Sequence, residues 1–169
     1  MTAQAREVLA DCELVLTMLE DETDLHRWRI NWVAGLALIR AVGNVMESSP
    51  DALTAKASDE AHARWKSEAP EHEIFREFIR KERNNVLKQY SFSLDPREQI
   101  AVAVVQGKTQ ARHGRKENYT VYELDENLFR PTYGYREGED ARDVFADAIL
   151  WWKREIHGIE MRAMQLRGQ

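Results

Sequence analysis

The sequence predicts a mainly α-helical protein, an antiparallel four-helix bundle with a β-hairpin or small β-sheet inserted before the last helix. Three observations predict this fold. The chain has 169 residues, which suits a single domain over 1–169. Apolar residues recur in steps of three and four along several long stretches, which is the spacing of one helix face. A short β-branched stretch interrupts this pattern at about residues 99–135.

The first two helices are predicted at about residues 3–20 and 24–47. Asp24 is a suitable N-cap for the second helix, and Ser48 to Pro50 end it. Each helix has one apolar stripe that would pack against its neighbours. The predicted stripes are Ala5, Val8, Cys12, Val15 and Leu19 in the first helix, and Leu25, Trp28, Trp32, Gly35, Ile39, Val42 and Met46 in the second.

Three further helices are predicted, one short and two long. The alanine-rich stretch 51–70 predicts only a short helix at about 58–67, which ends before Pro70. A long helix is expected at 71–90, and the last long helix at about 140–166. The period of the last helix is 3.5 residues, which is typical of bundle helices. Its apolar stripe is Phe145, Ile149, Trp152, Ile156, Ile159 and Ala163. The adjacent Trp151 would lie either under the inserted hairpin or on a dimer surface.

The inserted β-structure is predicted from two alternating, β-branched segments, QIAVAVVQ at 99–106 and NYTVYEL at 118–124. A third strand is expected near 128–135. The turn between the first two segments, GKTQARHGRK, is basic and contains no acid. Its cations Lys108, Arg112 and Arg115 would form either a solvated loop tip or a phosphate-contacting finger.

Composition excludes several classes of protein. The net charge of −5 argues against non-specific nucleic-acid binding by the whole chain. The single Cys12 excludes an internal disulfide and a Cys-rich zinc site. No pair of histidines has a metal-binding spacing, and the chain contains no glycine-rich phosphate motif, so no cofactor and no metal are predicted. No apolar run is long enough to span a membrane, and the N-terminal residues lack a secretory pattern, so a cytoplasmic protein without membrane contact is expected.

The helix at 71–90 carries the most informative residue. On a helical wheel at 100° per residue, Arg83 falls inside an apolar face that includes Phe75, Ile79 and Val86. A charge in such a position is costly unless it is paired or reaches a cleft. Arg83 would therefore either pair with Glu82 or another carboxylate, or face a cleft and contact an anion. Asn84 and Lys88 follow on the same helix edge and could complete a phosphate-binding surface.

The string RNNVLKQY at 83–90 resembles the signature of HEPN domains, in which an Arg and a polar residue precede a His and, often, an aromatic residue. The helix RINWVAGLALIRAVGNVM at 29–46 is similar to the helix that packs against the motif in that family. The resemblance implies an antiparallel helical bundle that acts as a homodimer. It also implies a metal-independent ribonuclease of toxin–antitoxin or defence type, with Arg83 and Asn84 at the motif pair and Tyr90 at the aromatic position.

Lys88 stands where that family has its His. A lysine is normally charged at pH 7 and is therefore a poor proton acceptor. Three functions remain open: a non-catalytic binding or regulatory module with a cleft for RNA, a nucleotide phosphate or a protein partner; a weak ribonuclease; and a purely structural bundle. The candidate catalytic residues are Arg83, Asn84 and Lys88. The candidate anion contacts are Arg83, Lys88, Tyr90, Lys108, Arg112 and Arg115.

Overall fold

The structure is a computed structural model that describes residues 2–92, 94–95, 130–131 and 134–168. Its described part is mainly helical, as the sequence predicts. The five α-helices in it are α1 (Ala3–Asp21), α2 (Leu25–Glu47), α3 (Ala52–Trp65), α4 (Arg83–Gln89) and α5 (Ala141–Arg167). A 3₁₀ turn, Pro70–His72, and a π-helical segment, Ile74–Glu82, precede α4. Two short strands, β1 (Leu94–Asp95) and β2 (Arg130–Pro131), pair antiparallel.

The predicted fold class, a four-helix bundle with a β-hairpin or small β-sheet insertion, is wrong. Within the part of the chain that the structure describes, extended pairing is limited to the two residues of each strand, and no hairpin or larger sheet is seen. Pro131 stands opposite Leu94 and has no N–H to donate, so it cannot extend the ladder. The strands predicted at 99–106 and 118–124, and half of the third strand (128–129 and 132–133), lie outside the described residues.

The helix count also needs correction, because the alanine-rich segment forms the full helix α3. The expected short helix at 58–67 in fact begins at Ala52 and ends at Trp65. Its small residues Ala57, Ser58 and Ala61 are buried, so their size allows close packing against neighbouring helices. Low average hydropathy therefore concealed a helix whose buried face is made of small side chains up to its last residue, Trp65.

The residues that the long helices bury agree closely with the predicted apolar stripes. All six stripe residues predicted for α5 are buried. In α1, Leu9 is buried instead of Val8, and in α2 only Leu25 is exposed among the predicted set. Asp24 caps α2 as expected, because its carboxylate accepts hydrogen bonds from the backbone N–H groups of His26 (2.9 Å) and Arg27 (3.0 Å). The bond to Arg27 is the main reason that the pKa of Asp24 lies below its usual value.

Aromatic rings form the centre of the core, where α3, α5 and the π-helical segment meet. The ring centroids of Trp65 and Trp152 are 5.1 Å apart, and Phe75 stacks on Trp151 at 5.5 Å. Trp151 is buried and donates to the carbonyl of Glu71 (3.0 Å), so it lies inside the core and not on a dimer surface. None of the described helices has the length and hydropathy that spanning a bilayer requires.

Gly43 allows α2 to approach Trp152 closely. A Cβ at this position would lie 2.9 Å from Trp152 Cη2 and 2.9 Å from Arg40 Nη1. Trp152 cannot easily move away, because its indole N–H donates to the carbonyl of Ile39 (2.7 Å). Gly43→Ala should therefore lower the free energy of unfolding by about 1–2 kcal/mol, since overpacking outweighs the better helix propensity of alanine.

Chemical denaturation measures this effect, and Gly158→Ala is the matched control. Beyond the adjacent residues and the helix's own backbone, no atom of the described residues lies within 4 Å of a Cβ at Gly158, which is also helical. The free energy of unfolding of the Gly158→Ala control should rise by about 0.5–1 kcal/mol, because alanine has a higher helix propensity than glycine. Equal changes in the two variants would contradict the proposed close contact.

Candidate functional site

The helix that bears Arg83 is not a regular α-helix. Its first part is π-helical over Ile74–Glu82, and α4 begins at Arg83. A π-helix forms i→i+5 hydrogen bonds, so its turn is wider than the α-helical turn assumed on the wheel. As a result Glu82 is buried (8% exposed), Arg83 is half-buried, and Leu87 is exposed at 38%. The sequence contains a signal for this wider turn. The apolar pairs Ile74–Phe75 and Phe78–Ile79 and the pair Glu82–Arg83 follow one another at intervals of four residues.

The Arg83 guanidinium lies at the surface of the bundle with few partners. Its Nη1 donates to Oδ1 of Asn84 (2.9 Å). Its Nε is buried and has no hydrogen-bond partner in the described part of the chain. No carboxylate of the described residues, Glu82 included, forms an ion pair with it. The structural ion pair that was one interpretation of Arg83 is therefore not present among these residues.

Arg40 of α2 lies close to Arg83 and was missed by the sequence analysis. Its guanidinium carbon lies 5.7 Å from the centroid of the Phe75 ring, and its Nη1 is buried without a hydrogen-bond partner among the described residues. Burial lowers the pKa of Arg40. The charge of Glu47 opposes this change, and the charges of Arg83 and Arg80 add to it.

The signal that singled out Arg83 was also available for Arg40. Leu36 and Gly43 are buried on α2, and Arg40 lies four residues after the first and three before the second. An arginine at that spacing falls on the core-facing stripe. Arg40 and Arg83 thus lie on two helices that pack against each other, and the charge of Arg83 acts on Arg40. Two half-buried arginines on neighbouring helices are a more specific pattern than either arginine alone.

The remaining predicted contacts are spread along α4. Lys88 is exposed and forms no hydrogen bond or ion pair with another described residue. Tyr90 ends α4 in the left-handed region (φ 51°) and is 62% exposed. Its ring lies 5.7 Å from the guanidinium of Arg29 and 5.0 Å from the ring of Phe92. Arg29 and Tyr90 therefore form a contact between α2 and the C-terminal end of α4.

The predicted anion contacts of the basic turn, Lys108, Arg112 and Arg115, lie outside the described residues. Arg80 is a further cation among the described residues. It is exposed, and its charge acts on Arg40. We refer to Arg40, Arg80, Arg83 and Asn84 together as the arginine site.

A histidine borders the arginine site from α3. The His62 imidazole contacts the carboxylate of Glu47 through Nδ1, and its ring packs edge-on against Phe75 at 5.9 Å. Arg40 packs on the same Phe75 ring. Burial lowers the pKa of His62 despite the opposing charge of Glu47, and the charges of Lys66 and Arg40 also lower it.

The lowered pKa of His62 gives a pH-dependence of stability. In the unfolded chain the His62 imidazole binds a proton near its ordinary pKa of about 6.5, whereas in the folded chain it binds the proton only at a lower pH. The free energy of unfolding should therefore be level above pH 6.5 and fall as the pH decreases from 6.5 towards the folded-state pKa. Urea denaturation from pH 5 to 8 measures this, and His62→Gln should reduce the slope. The control is His26→Gln, because His26 is exposed. An equal reduction of the pH slope in this variant would contradict the assignment of the slope to His62.

A second concave region is less suited to binding a charged ligand. It is a surface hollow of about 340 Å³ beside Trp151, and Tyr135 and Arg136 line it. The Arg136 guanidinium already pairs with Asp147 and Glu139 (3.4 Å to the latter). The hollow is also lined by Arg154, Glu71 and Asp147, so its two cations are matched by two carboxylates and it offers a charged ligand no net charge of either sign.

The arginine site can bind and orient an anion. Guanidinium groups form charge-assisted, bidentate hydrogen bonds with phosphate and carboxylate oxygens. The Asn84 carbonyl faces Arg83, because a guanidinium can only donate, and this leaves the amide N–H₂ free to donate to a ligand. The described residues contain no group of three or more His, Cys, Asp or Glu placed to hold a metal ion. Comparisons of this chain with known protein families, with curated proteins and with solved structures find no match.

Proposed function

We propose that this protein is a non-catalytic binding or regulatory module of HEPN-like type, whose arginine site holds a phosphate group of RNA or of a nucleotide. One observation carries the proposal. Arg40 and Arg83 lie on facing helices, and each has a buried N–H without a partner among the described residues. An unsatisfied buried donor on a charged group is costly, so folded proteins rarely retain one without a function.

The irregular helix supports the same proposal. π-helical turns are rare and occur frequently at functional sites. Here the π-helical segment ends at Glu82, immediately before Arg83. Tyr90 and Arg29, in contact at the C-terminal end of α4, supply an exposed aromatic ring and a further cation, and both groups are suited to stacking on a base.

A weak metal-independent ribonuclease is the second candidate function, because Arg83 and Asn84 occupy the motif pair and contact each other. Lys88 in place of the family's His argues against efficient proton transfer. Either function would operate in a homodimer whose cleft is shared by two copies, as the resemblance implies.

RNA binding tests the main proposal. Fluorescence anisotropy with a short labelled single-stranded RNA should detect binding by the wild-type protein, and Arg83→Gln should weaken it at least tenfold. Arg6→Gln is the matched control. Arg6 is an equally charged residue on α1 that pairs with Glu160 (2.6 Å). Equal affinities of the three proteins would contradict a role for the arginine site. Size-exclusion chromatography with light scattering reports the oligomeric state.

The ribonuclease alternative needs a separate assay. RNA cleavage above background by the wild-type protein, abolished in Arg83→Ala, would establish catalysis. Lys88→His restores the family residue at an exposed position, so the substitution should not disturb the fold. Cleavage by that variant alone would indicate a degenerate enzyme, and its absence would favour a binding module.

A further inference from the structure

We infer that the surface hollow beside Trp151 binds a small zwitterion, a free α-amino acid with an aliphatic or aromatic side chain. The inference goes beyond the proposed function, because none of the described residues that line this hollow belongs to the arginine site. The hollow has a volume of about 340 Å³, whereas small-molecule sites in proteins measure roughly 300–1,000 Å³. A volume at the lower end of that range suits a ligand of the size of one amino acid.

Three parts of the chain form the walls of the hollow. α5 supplies one wall from Asp147 to Arg154, a distance of about 10 Å along the helix axis. The 3₁₀ turn before α4 supplies a second wall with Glu71, and the turn before α5 supplies a third with Arg136. The indole N–H of Trp151 donates to the backbone carbonyl of Glu71 (3.0 Å), and Arg136 pairs with Asp147. Because these two contacts join the walls, the hollow is formed before a ligand enters it, and less entropy is lost on binding.

The four charged side chains of the hollow form one satisfied pair and one unsatisfied pair. The Arg136 guanidinium pairs with Asp147 and also with Glu139 (3.4 Å). The side chains of Arg154 and Glu71 line the same hollow, but neither forms a hydrogen bond or an ion pair with another described residue. One positive and one negative group on the walls of a single cavity are therefore available to a ligand.

An amino acid matches this pair because its α-carbon carries a group of each sign. Its carboxylate can accept bidentate hydrogen bonds from the Arg154 guanidinium, and its ammonium group can donate to the Glu71 carboxylate. Both side chains lie close to Trp151, because Arg154 follows it by three residues on α5 and the backbone of Glu71 bonds to its indole. A ligand with charge of only one sign would leave one of the two side chains unmatched.

The apolar lining indicates the character of the ligand's own side chain. Ile74 and Leu150 line the hollow together with Trp151 and the half-buried Tyr135. Leu150 is 53% exposed, so a ligand that covers it would remove apolar surface from water. An aliphatic or aromatic side chain should therefore add affinity that alanine, with its single methyl group, lacks.

Isothermal titration calorimetry with L-leucine and L-phenylalanine tests the inference. At least one of them should bind the wild-type protein with a Kd of about 1 mM or below, and L-alanine should bind about tenfold more weakly. The amine and the acid that correspond to the bound amino acid, 2-phenylethylamine and 3-phenylpropionate in the case of phenylalanine, keep the side chain but carry one charge each. Both should also bind about tenfold more weakly than the amino acid.

Two variants assign each charge to its side chain. Arg154→Gln should weaken binding of the amino acid about tenfold without weakening binding of the amine, which has no carboxylate. Glu71→Gln should weaken binding of the amino acid by a similar factor without weakening binding of the acid, which has no ammonium group. Lys153→Gln and Glu68→Gln are the matched controls, because both residues are exposed, carry the same charges and do not line the hollow. Circular dichroism confirms the folding of each protein.

Three results would overturn the inference. In the first, neither L-leucine nor L-phenylalanine binds the wild-type protein. In the second, the amino acid binds no more tightly than its amine and its acid, or no more tightly than L-alanine, so that the charges or the apolar lining play no part. In the third, binding is unchanged in both Arg154→Gln and Glu71→Gln, so that the ligand lies elsewhere. RNA binding by these two variants should equal that of the wild-type protein, so the proposed function is tested separately.

Discussion

Trp152→Ala should lower the free energy of unfolding by about 3–5 kcal/mol, which is the typical cost of removing a large aromatic side chain from a packed core. Trp152 is fully buried, contacts the rings of Trp65 and Trp151 at 5.1 and 4.8 Å, and donates to Ile39 on α2. The substitution would therefore leave a cavity at the junction of α2, α3 and α5 and remove the hydrogen bond that joins α5 to Ile39.

Urea denaturation followed by circular dichroism measures this loss. Leu150→Ala is the matched control, because Leu150 lies two residues earlier on the same helix and is 53% exposed. The control should change stability by less than about 0.5 kcal/mol. A loss below about 1 kcal/mol in Trp152→Ala would show that the aromatic cluster is not the centre of the core.

Arg83→Met should leave the stability of the protein unchanged or raise it by about 1 kcal/mol, while it weakens RNA binding. The reason is that a partly buried charge without a carboxylate partner is costly, and an apolar side chain of similar length removes that cost. Residues that serve binding commonly reduce stability in this way. Arg83 Nε has no partner among the described residues, so little favourable interaction is lost.

Thermal denaturation and the RNA-binding assay together test this prediction. Arg136→Met is the control, because its guanidinium is paired with Asp147 and Glu139, and its loss should bring no gain in stability. A clear decrease in the stability of Arg83→Met would instead support the purely structural interpretation of the bundle. Stability and binding should move in opposite directions only if Arg83 is a ligand-binding residue.

The sequence was most informative where one face of a helix is uniformly apolar. All six positions predicted for the stripe of α5 are buried, because their regular spacing defines a core-facing side of the helix. The buried face is wider than predicted, since Ala141, Val144, Ala148 and Trp151 are buried as well. α3 was underestimated, because alanine and serine at its buried positions are neutral in hydropathy. The expected hairpin and sheet rested on local β-preference alone, and in the described residues only a two-residue pairing is present.

Arg83 is half-buried, as its place on the apolar stripe predicts, and its neighbour Asn84 is in contact with it. The role of these residues in binding or catalysis stays a prediction. The burial of Glu82 could not be obtained from a wheel with a fixed angle of 100°, because the π-helical turns change the angle between successive residues. The proximity of Arg40 to Arg83 depends on how α2 and α4 pack, which a motif within one helix does not specify.

The π-helical segment has a consequence for how this surface can change in evolution. A π-helix closes its hydrogen bonds over five residues and an α-helix over four, so a π-helical stretch that loses one residue can return to α-helical geometry without turning the helix beyond it. Removal of a single residue between positions 76 and 81 should therefore convert part of this stretch to an α-helix and leave α4 packed on α2. The length of the stretch before Arg83 can thus change by one codon without changing the side of the bundle that α4 occupies.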